Sequence, residues 1–543
     1  MSTDDDRPLT RAEARARREA EERAAVTPPP AADEPILREE SSTYPGFAAN
    51  PAPAADPVGT DLPAASPADA DRGAGSPEPA AEAAEPPRRP RRRFALVLGG
   101  VIGVLALVAA GLGVGSLLLG PRVSAVKVDP QAAIDASGTR MTITASEPLA
   151  KIDPAQVTIE PAAPFTVDSS GRNVGIRFTV PLDDSTEYTV TVKDVTGTDG
   201  TRSGTLRTSF RTPASAVFLL QRNGDGDDTI FRTDLTGQKA VPVVQHAQID
   251  DFRATADQLV VATEKDGLSQ LLVMDRDGSN QRELTLPGPG FASTLQVSDR
   301  GDYVGYTFTD KGISATSGRA SMLVTQSLHG DGKPQIVKLG DAVPSIAEWR
   351  FVPDSTSALF IDFTGALYVD DRAGTGGPTA LGFAQTIEGI SRGTYTAIVS
   401  RANQLVELDL ADGSEKPLPP STPDTGSPST IVPFPGGTLR QITLRDAAGL
   451  PTGQDVVRVG DDGKAEKIFS VTGSDAIMQV CASPSGQYTA VVVAPDLVTN
   501  TYDRSLLPLP KTLQTHLLDT RTGKGDVVLN GFDLSWCATA PRR

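Results

Sequence analysis

The stretch that decides the fold is "GFDLSWCATAPRR", residues 531–543, read together with "VFLLQR", residues 217–222. The first opens a strand that nothing follows, and the second is an apolar strand that lacks a leading partner. Between them runs a repeat. One strand type recurs with a turn behind it: "TIFRTDLTG", "QLLVMDRDG", "MLVTQSLHGDG", "ALYVDDRAG", "QLVELDLADG", "DVVRVGDDG" and "THLLDTRTG", seven copies in all. Gly278, Gly413 and Gly463 close such runs, and glycine suits a tight turn because it tolerates positive φ. A second pattern alternates with the first, a strand, a turn and a more apolar strand. Its complete copies are "DDFRATADQLVVAT", "LQVSDRGDYVGYTF", "EWRFVPDSTSALFID", "EGISRGTYTAIVS", "VPFPGGTLRQITL" and "QVCASPSGQYTAVVV". Six are whole. The seventh is split, with "FDLSWCATAP" as its first strand and "VFLLQR" as its second. Four strands per repeat, seven repeats and a shared last blade predict a seven-bladed β-propeller over residues 217–543, closed by pairing its two extremities. Closure leaves no exposed sheet edge. An open all-β stack is the alternative, and the split copy argues against it. Repeat spacing is uneven. The extra length falls in loops such as "TDKGISATSGRAS" and "LPPSTPDTGSPST", where binding is commonly carried.

Residues 122–213 also alternate apolar and polar residues, in "RMTITASEPL", "VTIEPAA", "NVGIRFTVPL" and "EYTVTVKDV". Several short strands in so brief a segment predict a β-sandwich. Tyr188 and Phe210 are read as core residues. On "VSAVKVDP", "EYTVTVKDVTGTDG" and "SFRTP" the segment resembles the bacterial Ig-like domains of surface proteins, which implies a spacer or adhesive module without catalytic residues. The later repeats resemble the TolB-type and PD40-type (WD40-like) propeller families. "CASPSGQYTAVVV" matches their strand–turn–strand motif best and "FVPDSTSALFID" next, while other copies depart from it.

Upstream, "RRPRRRFALVLGGVIGVLALVAAGLGVGSLLLG" carries no charge from Phe94 to Leu119. That length spans a hydrocarbon core of roughly 30 Å as a helix. Arg88, Arg89, Arg91, Arg92 and Arg93 precede it. The positive-inside rule therefore places residues 1–93 in the cytoplasm and the β region outside, behind a single-pass signal anchor. Gly99 and Gly103, and Gly111 and Gly115, have the small-xxx-small spacing that lets two such helices pack as a homodimer. The tail from Thr27 to Pro87 is rich in Pro, Ala, Asp and Glu, with too little apolar surface to order itself. High Ala, Pro, Gly and Asp with little Lys is the composition of a GC-rich bacterium, and the whole resembles a single-pass envelope protein of actinobacterial type.

The formal net charge of −17 excludes the basic surface a nucleic-acid binder needs. The three histidines, His246, His329 and His516, are far apart and form no metal-ligand pair. Asn223, Asp225, Asp227 and Asp234 in "RNGDGDDTIFRTD" fall at the spacing of a calcium loop, which takes oxygen ligands at alternate positions. Asp228, however, stands where such a loop wants glycine, and a polar hairpin tip is the other reading. No other cofactor is expected. Cys481 and Cys537 lie on the oxidising side of the membrane. They are assigned to the first strands of neighbouring blades. Pro484 lies three residues after Cys481 and Pro541 four after Cys537, so the strand parity differs and the side chains can meet as a disulfide; two buried free thiols are the alternative. Trp349 and Trp536 fall at matching strand positions and are read as core packing, with ligand stacking as the alternative.

No GxSxG, HExxH, GxxxxGK[ST] or strand-borne GxGxxG motif is present. The expectation is an envelope protein that binds a protein or glycan ligand and is not an enzyme. A propeller enzyme with acids at the central channel is the runner-up, and transmembrane signalling through the acidic tail is a third reading.

Overall fold

Short β-branched runs punctuated by Gly, Pro and Asp turns become 34 strands among the described residues between Val123 and Asn530, paired antiparallel. The structure, a computed structural model, describes residues 120–541 apart from 199, 201, 225, 315, 331, 403, 504, 506 and 507. The membrane segment 94–119, its glycine pairs, the homodimer they would support and the tail 1–93 lie outside the described residues. Among the described residues no helix is long and apolar enough to cross a membrane. The only α-helix among them is Pro130–Asp135, started by Pro130 and by the Asp129 carboxylate, which accepts from the Gln131 and Ala132 amides.

The first two sheets come from residues 123–211. One has four strands in the order Val123–Lys127, Arg140–Ala145, Asn173–Phe178, Phe165–Ser170. The other has three, in the order Val157–Glu160, Glu187–Thr196, Ser203–Arg211. Their alternating inward residues, Met141, Ile143, Val174, Ile176, Phe178, Val190, Val192 and Leu206, are fully buried. Tyr188 is buried and stacks on the half-buried Phe210 with ring centroids 5.8 Å apart.

Seven further sheets follow in chain order, each a simple meander. The first of them has three strands, Ala216–Gln221, Asp228–Asp234 and Val241–His246, and the other six have four each. Each of the seven runs noted in the sequence supplies one strand beside the outermost of its sheet. The first strands are Ile249–Ala254, Gly290–Val297, Ile346–Phe351, Thr386–Ser391, Pro428–Phe434 and Ala476–Ala482, and each packs against the next around a common axis. This is the organisation of a β-propeller.

Among the described residues no backbone ladder joins neighbouring complete sheets; apart from single backbone bonds such as Ile346 amide to Ser321 carbonyl at 2.8 Å, side chains link them. The Asp228 carboxylate accepts from the Ile249 amide at 2.9 Å, Ser269 from Ala292 at 3.0 Å, Glu348 from Ile387 at 2.9 Å and Gln454 from Ile477 at 2.6 Å. Each bond satisfies a buried donor at the start of an inner strand that would otherwise cost about 1–3 kcal/mol. Trp349 is fully buried and lies over Gly305, where a Cβ would sit 2.5 Å from the indole.

The seam is where the split copy predicts it. Leu220 and Phe532 exchange both backbone hydrogen bonds at 2.9 Å, and the Ser535 amide donates to the Phe218 carbonyl at 2.9 Å. The pairing is shorter than the sequence suggests. Asp533 takes a φ of 56° and the chain turns inward, so Trp536 and Cys537 stand on a turn and not on a strand. Cys481 and Cys537 are joined, with Cα atoms 5.5 Å apart, and it is this inward turn that brings them together.

Candidate functional site

Every first strand of the six complete sheets carries a break in register with its neighbour, for example between Ile249 and Asp251, Ile346 and Glu348, Ile387 and Gly389, and Ile477 and Gln479. A bulge adds a residue to one strand and re-aims the side chains around it. Here the bulges turn polar residues toward the axis and open a cavity of about 290 Å³ among the inner strands. Asp299, Arg350, Glu388, Arg392, Gln479 and Trp536 are among the groups that line it.

Three of these four charged groups are ion-paired. Arg350 holds Glu348 at 2.9 Å, and Arg392 holds Asp299 at 2.7 Å. Thr386 donates its hydroxyl to Glu388 at 2.7 Å. Burial alone pulls the Arg392 pKa down, but Asp299 and then Asp354 outweigh it and the net direction is up. Deeper in the wall lies a fully buried cluster. Arg253 contacts Asp251 at 2.8 Å and Asp533 at 2.7 Å, and its Nε donates to the Leu295 carbonyl at 2.9 Å. Burial drives the Asp251 carboxyl well above the usual range against the pull of Arg253, with Asp533 adding to the rise. The cluster ties the second sheet to the closing segment 531–541.

One mouth of the channel is covered. The turns between first and second strands emerge at one end of the ring, and the N-terminal part contacts several of them. Tyr488 donates to Asp184 at 3.1 Å, Gln487 accepts from the Asp184 amide at 2.8 Å, Arg521 pairs with Asp183 at 3.2 Å and Ser137 bonds Asp354. A second cavity of about 140 Å³ remains between the two parts, lined by Asp184, Arg253, Arg276, Arg392, Tyr488 and Trp536. The opposite mouth carries the connections between second and third strands. There Ile313, Phe363, Phe383, Leu450, Val498 and Tyr502 stand exposed, Val498 at 85% and Phe363 at 70%.

The calcium reading is not assembled. Asp225 lies outside the described residues. Asn223 and Asp234 are at opposite ends of the strand Asp228–Asp234, whose seven residues rise about 3.3 Å each. Asp234 turns instead to Thr236, whose hydroxyl donates at 2.6 Å, and Asn223 donates to the Asp227 carbonyl at 2.7 Å. Among the described residues no group of three His, Cys, Asp or Glu side chains converges to hold a metal. Trp349 is core, as read. Trp536 is not its counterpart: it stacks on Tyr488 at 6.1 Å and faces both cavities.

No protein-family model matches the chain, and no curated protein is similar to it. Solved structures are. The crystal structure of the tricorn protease is 10% identical, covering 73% of this chain and 46% of its own, with a TM-score of 0.38. A study of two prolyl endopeptidases gives 11% identity, 68% and 50% coverage and a TM-score of 0.43. A Mycobacterium tuberculosis puromycin-hydrolyzing peptidase gives 14%, 58% and 58%, and 0.33. The chain thus spans about half the length of the peptidases it resembles. The expectation that the protein is not an enzyme is corrected: three of the solved structures similar to it are peptidases. The same TM-scores are too low to supply an activity.

Proposed function

We propose that the chain is a membrane-anchored, extracytoplasmic binding and scaffold protein of a bacterial cell envelope. It presents a seven-bladed propeller on an Ig-like base. The anchor in this reading is Phe94–Leu119 behind its arginines. The observation that carries the binding role is the contrast between the two mouths of the channel. One is sealed by the chain's own N-terminal sheets through hydrogen bonds and ion pairs. The other leaves Phe363, Phe383, Ile313 and Leu450 in solvent. Large apolar groups exposed on one face mark an interaction site. The Ig-like part is then a fixed base and not a loose spacer, and a ligand approaches from the side away from the membrane.

The test is photo-crosslinking in cells of the native host, with a benzophenone amino acid at 363 or 450 of the full-length chain and, as control, at 187 on the N-terminal sheets. A discrete envelope adduct from the rim positions alone supports the reading. Equal labelling from all three positions, or labelling only of cytoplasmic proteins, contradicts it.

A further inference from the structure

The closing segment does more than complete the ring. After Asp533 it leaves the seam, and Ala538, Thr539 and Ala540 line the axial cavity beside Arg350, Glu388 and Gln441. The contact there is specific. Gln479, on the inner strand of the last sheet, donates its side-chain amide to the Thr539 carbonyl. Its other amide atom, Oε1, is buried and has no partner. A carboxamide that donates to one backbone carbonyl and keeps a buried acceptor beside it is half of a two-point reader of peptide backbone, C=O on one side and N–H on the other. The bulge between Ile477 and Gln479 is what re-aims this side chain.

We propose that the axial channel is a peptide-binding site. Its ligand class is an extended segment of small residues, and the chain's own residues 538–541 occupy it in cis. The disulfide sets the strength of this occupancy. Cys537 is fixed to Cys481 immediately before the segment, so the tether is one or two residues long. A tether that short holds its ligand at an effective concentration of roughly millimolar or above. A peptide arriving in trans therefore meets a site that is already filled, and its apparent affinity falls by the fraction of time the site is vacant. The proposal concerns the channel and holds whether or not the apolar rim binds a partner.

The experiment uses full-length protein in detergent and a fluorescein-labelled peptide ATAPRR, read by anisotropy. A chain ended after Cys537 binds the peptide, and the intact chain binds it about tenfold more weakly or less. In the shortened chain Gln479→Ala lowers affinity by about threefold to tenfold, the effect of one lost hydrogen bond. A shortened chain that melts like the intact one yet fails to bind, or binds equally with Gln479→Ala, overturns the proposal. Should shortening unfold the protein, a benzophenone amino acid at 540 of the intact chain decides the matter. Cross-links to 386–391, 428–434 or 476–482 support occupancy of the channel, and their absence overturns it.

Discussion

The two mouths of the ring are built from the same repeating meander, and they have been put to opposite uses. At the covered mouth several turns offer polar groups that the N-terminal part answers: Asp184 alone accepts from Tyr488 and from the Ser215 amide. At the open mouth two connections, 311–321 and 495–513, are long, and Ile313, Phe363, Leu450, Val498 and Tyr502 stand exposed. The difference teaches that a propeller's two faces are chemically independent. The strands fix where turns emerge, and the turn residues alone decide whether a face is internal or offered outward.

The largest expected effect tests what lies between the mouths. Asp533→Ala leaves the buried Arg253 with Asp251 as its one remaining carboxylate neighbour. Removing one partner of a buried pair costs about 3–5 kcal/mol, to be read as a lower denaturation midpoint. Replacing both Cys481 and Cys537 by serine opens a loop of 56 residues. That costs about 2–4 kcal/mol by equilibrium unfolding. At the covered mouth, Asp184→Ala strands Tyr488 and the Ser215 amide. We expect a loss of about 1–3 kcal/mol, with faster hydrogen exchange in the turn 483–488. At the open mouth, Phe363→Ser or Leu450→Ser changes stability by no more than about 0.5 kcal/mol, while partner labelling is lost. If the rim substitutions destabilise as much as Asp184→Ala, the two faces are not different in kind.

Asp251 gives the pH dependence a sign. Its folded pKa lies above the ordinary carboxylate value, so the folded state binds the proton more tightly than the unfolded chain. Its contribution therefore favours folding at low pH and is lost as pH rises from about 4 through the raised pKa. Asp251→Asn keeps the neutral form at every pH. It should flatten that part of the stability profile, and an unchanged slope would show that Asp251 does not carry it.

Much of the ring was legible because its signal is local. Strand alternation and turn glycines such as Gly278 and Gly413 recur at readable spacing, and six whole copies against seven of the other type reveal where the seam lies. What escaped reading depends on residues far apart in the chain. Arg253 and Asp533 are separated by 280 positions, and no periodicity links them. The Gln479 contact exists because a bulge re-aims one side chain, and bulges leave no mark in an alternation of apolar and polar residues. Trp536 was misread because Asp533 adopts a left-handed turn that ends the strand early. The seating of the N-terminal sheets rests on single polar residues in turns, which resemble any solvated turn.

The central claim is that segment 531–541 closes the ring by joining its first, second and last sheets. The most direct measurement is thermal unfolding of the full-length chain ended after Asn530, followed by both circular dichroism and tryptophan fluorescence from Trp349. The account predicts a broad, early transition in which the two signals no longer coincide. A single sharp transition at the temperature of the intact chain would contradict it.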